Sequence, residues 1–101
     1  MRAYAGIATT TMTPAIAAQT GLTYMPGAVV TQVGPGTPAA QAGLQEGDIV
    51  VAVADQEIKN DQALRQAILA RKPGDQVTVT IVRDGRRQQV QLRLGERPLG
   101  Q

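Results

Sequence analysis

The sequence contains no histidine, no cysteine and no serine. A Ser/His/Asp triad, a Cys/His pair and any imidazole or thiolate metal site are therefore excluded from this chain. The absence of cysteine also rules out disulfides, though it says little about compartment. Phenylalanine and tryptophan are missing too, and Tyr4 and Tyr24 are the only aromatics. The core must be aliphatic, and no platform exists on which single-stranded nucleic acid could stack. No apolar run approaches the roughly 20 residues of a membrane span, and the N-terminus lacks a secretory pattern. The eight carboxylates are Glu46, Asp48, Asp55, Glu57, Asp61, Asp75, Asp84 and Glu96. Most fall at turns or helix starts, where solvation or capping accounts for them better than acid–base work or a Mg site. The reading is a chain that is not an enzyme and uses no metal or cofactor.

What is present points to one small domain. At 101 residues with net charge +2, the chain can bury a modest core without staples. Half of the positive charge lies at Arg83, Arg86, Arg87, Arg93 and Arg97, and reads as the solvated face of a C-terminal hairpin rather than a nucleic-acid surface. The organising stretch is Gly36 to Val53. Thr37 is an N-cap type, Pro38 suits the first helical position, and Ala39 to Ala42 favour helix. Gly43 can adopt the left-handed conformation that stops a helix, and Gly47-Asp48 turns the chain into a β-branched run. So short a helix does not persist alone in water, so it must be buried and pinned on both sides.

Around this hub the pattern predicts a loop at 2–5, a strand at about 6–12, a short helix from Ala15 to Thr20 closed by Gly21, and a strand at 27–33. The unbroken apolar run at 48–54 predicts a strand buried on both faces. A turn at Asp55-Gln56, a brief strand at Glu57-Ile58 and a helix capped by Asn60 or Asp61 and running to about Arg71 follow. Val77 to Val82 and Val90 to Leu94 alternate with period two about the Asp84-Gly85 hairpin turn. The expected fold is mainly β with α: a partly open antiparallel barrel or sandwich of five to six strands, capped by one main helix and two short ones. Residues 1–97 read as one domain and 98–101 as a loose tail.

The run Thr-Pro-Ala-x-x-Ala-Gly-Leu-x-x-Gly-Asp-x-Val at residues 37–50 resembles the hallmark of bacterial PDZ domains. The likeness covers nearly the whole chain and is strongest to the PDZ domains that follow the catalytic domain in high-temperature-requirement (HtrA/Deg) serine proteases. A strand lying before the hub matches the circularly permuted, bacterial order. The resemblance implies a peptide-binding module attached to a protease in a periplasmic or otherwise extracytoplasmic parent. Met1 would then be a non-native start, and any targeting signal would lie outside this chain.

The resemblance also implies a site. Tyr4-Ala5-Gly6-Ile7 matches the family's carboxylate-binding loop, in which consecutive backbone N–H groups converge on a peptide's C-terminus. Ala5 departs from the usual Leu or Ile, which leaves either a wider apolar wall or a helix that closes in. Arg2 lies near enough in sequence to add attraction, or is simply solvated. Ala8, Thr9, Thr10 and Thr11 would pair with an extended peptide, and their small side chains permit close approach. From the residues alone, the same strand reads first as an ordinary edge guarded by threonines, and the resemblance reverses that order. On the helix, Leu64, Ala67 and Arg71 form a core stripe. Asp61, Arg65, Ile68 and Lys72 form a neighbouring stripe that faces the groove. Ile68 with Ile7 would line the pocket for the last side chain, Asp61 and Arg65 would meet the side chain two residues earlier, and Leu69 contributes to either stripe. The expected partners are C-terminal or unfolded segments with apolar ends and the linked protease domain, with no nucleic acid and no membrane insertion. The alternative is a structural or regulatory domain that packs in the protease assembly with a seldom-occupied groove. A PDZ domain from a membrane-embedded or C-terminal processing protease fits the hub but matches residues 4–11 less well.

Overall fold

The computed structural model describes residues 3–96. In chain order the elements are β1 (Ala3–Tyr4), β2 (Ile7–Thr11), α1 (Pro14–Thr20), β3 (Ala28–Val33), α2 (Pro38–Ala42), β4 (Ile49–Val53), β5 (Gln56–Glu57), α3 (Asp61–Leu69), β6 (Gln76–Arg83), β7 (Arg86–Arg93) and β8 (Gly95–Glu96). One open, antiparallel sheet runs in the order β2-β3-β4-β6-β7, with β5 hanging on β4. A separate two-stranded ribbon pairs β1 with β8. This is the expected partly open antiparallel architecture, with three short helices laid against it.

Each helix starts where side-chain chemistry places it. The hydroxyls of Thr13 and Thr37 accept from Ile16 N–H at 3.1 Å and Ala40 N–H at 3.3 Å, and the Asn60 amide oxygen accepts from Ala63 N–H at 2.7 Å. These bonds satisfy donors that a helix start would otherwise leave orphaned. The hub helix α2 ends on left-handed Gly43: Leu44 N–H reaches the Ala39 carbonyl and Gly43 N–H the Ala40 carbonyl, a Schellman stop. Leu44, just beyond, is buried.

The sheet separates two apolar cores. The larger holds Ala5, Ala28, Val30, Ala39, Leu44 and Val50 with residues from α3, β6 and β7. The smaller, on the opposite face, holds Met12, Val29, Ile49, Val51 and Val82 beneath Ala17 of α1. β4 serves both: Ile49 and Val51 enter the smaller core, Val50 and Val53 the larger, with a register shift between Val50 and Ala52. That double burial is why its sequence reads as an unbroken apolar run.

Several boundaries differ from the sequence reading. Residues 3–4 are paired in β1 rather than looped, because β8 supplies a partner about ninety positions away in sequence. Gly95–Glu96 is correspondingly the strand β8, while residues 97–101, with the expected tail at 98–101, lie outside the described residues, as do Met1 and Arg2. The turn after β4 falls at Ala54-Asp55, with Ala54 at φ +52°, so β5 begins at Gln56, one residue early. Helix α3 stops at Leu69 instead of Arg71, since the Ala70 and Arg71 N–H groups bond back to Gln66 and Ile68 as the chain leaves the helix. β7 begins at Arg86, four residues before the apolar alternation, because backbone pairing with β6 continues through Arg87, Gln88 and Gln89. Asp84 and Gly85, at φ +53° and +76°, form the tight two-residue turn expected of that pair.

Two charged residues also depart from expectation. Asp48 is buried and is not a solvated turn carboxylate. Arg83 clamps it with Nε to Oδ1 at 2.8 Å and Nη2 to Oδ2 at 2.6 Å, and Nη2 also donates to the Gly43 carbonyl at 2.9 Å. Gln45 N–H donates to Asp48 Oδ2 at 2.9 Å. The hydrogen bond to Asp48 holds the Arg83 guanidinium above its ordinary pKa against the opposing effect of burial. Arg83 therefore ties the end of the hub helix to β6, while Arg86, Arg87 and Arg93 form the exposed face anticipated.

Candidate functional site

The loop between β1 and β2 is held from behind. Ala39 N–H donates to the Ala5 carbonyl at 2.9 Å, and Gly34 N–H donates to the Gly6 carbonyl at 3.0 Å. In a trans peptide the N–H points opposite to the carbonyl of the same plane, and no cis bond occurs among the described residues. The Gly6 N–H is therefore turned away from the hub, and the Ile7 N–H away from β3. Glycine is required at position 6: φ is +82°, and an added Cβ would stand 2.3 Å from Thr37 Cβ. Thr37, the cap of α2, thus also presses on the loop, while its hydroxyl donates to the Gly34 carbonyl at 2.6 Å.

β2 is an edge of the sheet, paired only with β3 among the described residues. Gly6 and Met12 both direct main-chain bonds to β3, Met12 N–H reaching the Gly27 carbonyl at 2.9 Å. By antiparallel alternation, the main-chain groups of Ile7, Thr9 and Thr11 face the free edge. The β3 strand takes up one extra residue, Thr31, opposite Ala8 and Thr9, and its hydroxyl donates to the Ala8 carbonyl at 3.1 Å. The bulge lies on the inner partner, so the parity of β2 itself is unbroken.

Side chains follow the same alternation. Ala8, Thr10 and Met12 share one face, where Met12 enters the smaller core. Ile7, Thr9 and Thr11 share the other, which α3 covers. The Thr9 hydroxyl donates to Asp61 Oδ1, and Asp61 N–H donates to Thr11 Oγ1 at 3.0 Å. Asp61 Oδ2 accepts from Arg65 Nη2 at 3.2 Å. The start of α3 thus sits over Thr9 and Thr11, and because α3 also contacts β1, its later turns run back toward the loop.

The residues expected at the site fall around this edge as follows. Ile7 and Ile68 are half-buried and pack on the same larger core. Ala5 is buried within that core, which favours the closed-in alternative over a wide gap. Leu69 is exposed at 46%, turned away from the core stripe formed by Leu64 and Ala67. Arg65 is mostly exposed, and Asp61 is occupied at both carboxylate oxygens by its own chain. Tyr4 contributes its backbone to β1. Sequence reasoning missed Gly34 and Ala39 as the groups that aim the loop. Their role depends on backbone N–H groups, which no side-chain pattern advertises.

A free strand edge, flanked by outward-turned loop amides and an apolar-lined helix, is the geometry that strand addition by a peptide requires. The chain belongs to the PDZ domain family, whose profile matches residues 4–94. It is a binding module and not a catalytic domain. Its relatives are parts of longer proteases: it is 32% identical over 97 residues to a probable periplasmic serine endoprotease DegP-like of Rhizobium meliloti strain 1021, covering 96% of this chain and 19% of that protein. It is 37% identical over 73 residues to the serine endoprotease DegS of Haemophilus influenzae, covering 72% of this chain and 22% of that one. In structure it superposes with TM-score 0.90 at 28% identity on the HtrA-type protease AlgW with decapeptide, over 96% of this chain and 30% of that chain. The chain spans about a fifth of the length of the curated relatives described here.

Proposed function

We propose that this domain captures extended C-terminal or unfolded segments with apolar ends by adding them as a strand to β2, and so serves substrate recognition or regulation of an attached HtrA-type serine protease in the periplasm. The observation that carries this reading is the loop geometry. The Ala5 and Gly6 carbonyls are tied back to Ala39 and Gly34, so the Gly6 and Ile7 amides face outward where β2 presents its free edge. A terminal carboxylate there accepts charge-assisted hydrogen bonds, with the Ala5 amide adjoining them. The ligand main chain then pairs with Ile7 and Thr9, and its last side chain rests against Ile7 and Ile68. The AlgW structure, which this fold matches closely, carries a decapeptide, which supports peptide binding as the role of the domain.

The test is a titration of the domain with octapeptides ending in Val, as free acid and as C-terminal amide. Charge-assisted bonds contribute about 1.5–3 kcal/mol each, so amidation is expected to weaken binding at least about tenfold. Equal affinity for acid and amide would overturn the loop assignment. Amide shifts that avoid both residues 5–11 and 61–69 would overturn the groove itself. No measurable binding in trans would leave the domain a packing element of its parent assembly.

A further inference from the structure

We infer that Thr9, Thr11 and Asp61 form a staple that closes the groove at the ligand's third-from-last position, so that the domain reads the terminal side chain and admits only small ones two residues earlier. This rests on the peptide-binding reading above. Three independent bonds converge on one residue. Thr9 Oγ1 donates to Asp61 Oδ1, Asp61 N–H donates to Thr11 Oγ1 at 3.0 Å, and Arg65 Nη2 holds Asp61 Oδ2 at 3.2 Å. Together they fix the first turn of α3 directly onto the face of β2.

The consequence follows from strand geometry. A ligand whose carboxylate meets the loop amides and whose last residue pairs with Ile7 places its third-from-last residue opposite Thr9, because outward-facing pairs recur every second residue. Directly opposite residues in an antiparallel pair project their side chains on the same face. The third-from-last side chain is therefore sent to the face where Thr9 and Asp61 are joined. A glycine or alanine fits beside the joined pair, whereas a leucine must separate Thr9 from Asp61. The last side chain, two residues along, meets Ile7 and Ile68 instead, which are half-buried and have no such cross-link among the described residues. Asp61 is on this account a positioning residue that sets groove width, and its carboxylate is not free to read a ligand.

The experiment uses the full chain and free-acid octapeptides ending in Val, with Ala or Leu at the third-from-last position. The unaltered domain is expected to favour Ala over Leu by about tenfold, within the range that overpacking costs. Thr9→Ala removes both the hydroxyl and its bulk and is expected to bring the two peptides within about twofold. Asp61→Ala should act in the same direction. Thr9→Ser keeps the donor and should keep the discrimination, a rescue that a purely steric effect of residue 9 would not show. Circular dichroism verifies that each variant remains folded. An unaltered domain that binds both peptides equally, or a folded Thr9→Ala variant that discriminates as before, would overturn the staple while leaving the peptide-binding reading intact. Failure of the unaltered domain to bind either peptide would overturn both.

Discussion

Replacing Gly6 with alanine probes the contact between the loop and the hub most directly. Left-handed backbone costs a non-glycine residue about 1–2 kcal/mol, and φ at Gly6 is +82°. The new Cβ would also lie 2.3, 2.5 and 2.8 Å from Thr37 Cβ, Cγ2 and Oγ1, so one side must move. Thr37 cannot retreat without loosening its cap on Ala40, worth about 1 kcal/mol, and its bond to the Gly34 carbonyl, worth about as much again. The expected loss is thus about 3–4 kcal/mol. For a domain of this size each kcal/mol lowers Tm by about 4–8 °C, which makes the drop at least about 12 °C by calorimetry. Gly21→Ala is the control, for Gly21 has φ +75° but nothing within 4 Å of the added atom. It should lose only the backbone portion, about 1–2 kcal/mol. Thr37→Gly removes the obstructing atoms while remaining an acceptable cap, so the Gly6→Ala/Thr37→Gly double variant should be more stable than additivity allows by about 1–2 kcal/mol. Equal costs for Gly6→Ala and Gly21→Ala, or strict additivity in the double variant, would refute the reasoning.

Arg83→Met strands the buried Asp48 carboxylate and is expected to cost about 3 kcal/mol in urea unfolding, whereas Asp48→Asn/Arg83→Met should recover part of that loss. Ile68→Lys places a charge beside Ile7 and should abolish binding of Val-ended peptides in calorimetric titration, while the half-buried position lets the sheet and its circular dichroism persist. Asn60→Ala removes the cap bond to Ala63 and should lower stability by about 1 kcal/mol, read from the chemical-denaturation midpoint with an unchanged slope.

The elements legible in the sequence are those governed by neighbours a few residues apart. Thr13, Thr37 and Asn60 announce their caps because the groups they satisfy lie three positions on. Asp84-Gly85 announces its turn because left-handed backbone is a local demand. Less legible is whatever depends on distant pairing. Asp48 looks like a turn residue until Arg83, 35 positions later, arrives beside it. The polar run Arg87-Gln88-Gln89 shows no alternation, yet the pairing with β6 carries the strand through it. At the candidate site, the resemblance at residues 4–7 drew attention to the loop and its glycine. The clasp between Thr9, Thr11 and Asp61 joins residues 50 and 52 apart, and three threonines in a row carry no mark of which hydroxyls face the helix.

The pairing of β1 with β8 makes this domain, in effect, a ring. Ala3 stands opposite Glu96 and Tyr4 opposite Gly95, in a register that brings opposed Cα atoms to about 5 Å. Joining those two strands by a short linker and severing the backbone instead at the exposed Asp84-Gly85 turn would leave every sheet neighbour in place. Where such a chain starts is then nearly independent of the shape it reaches, so the same architecture can be written in more than one strand order. The opening chosen here leads from β1 straight into the loop at Ala5 and Gly6. A pull on the incoming segment would therefore reach that loop before any other part of the sheet.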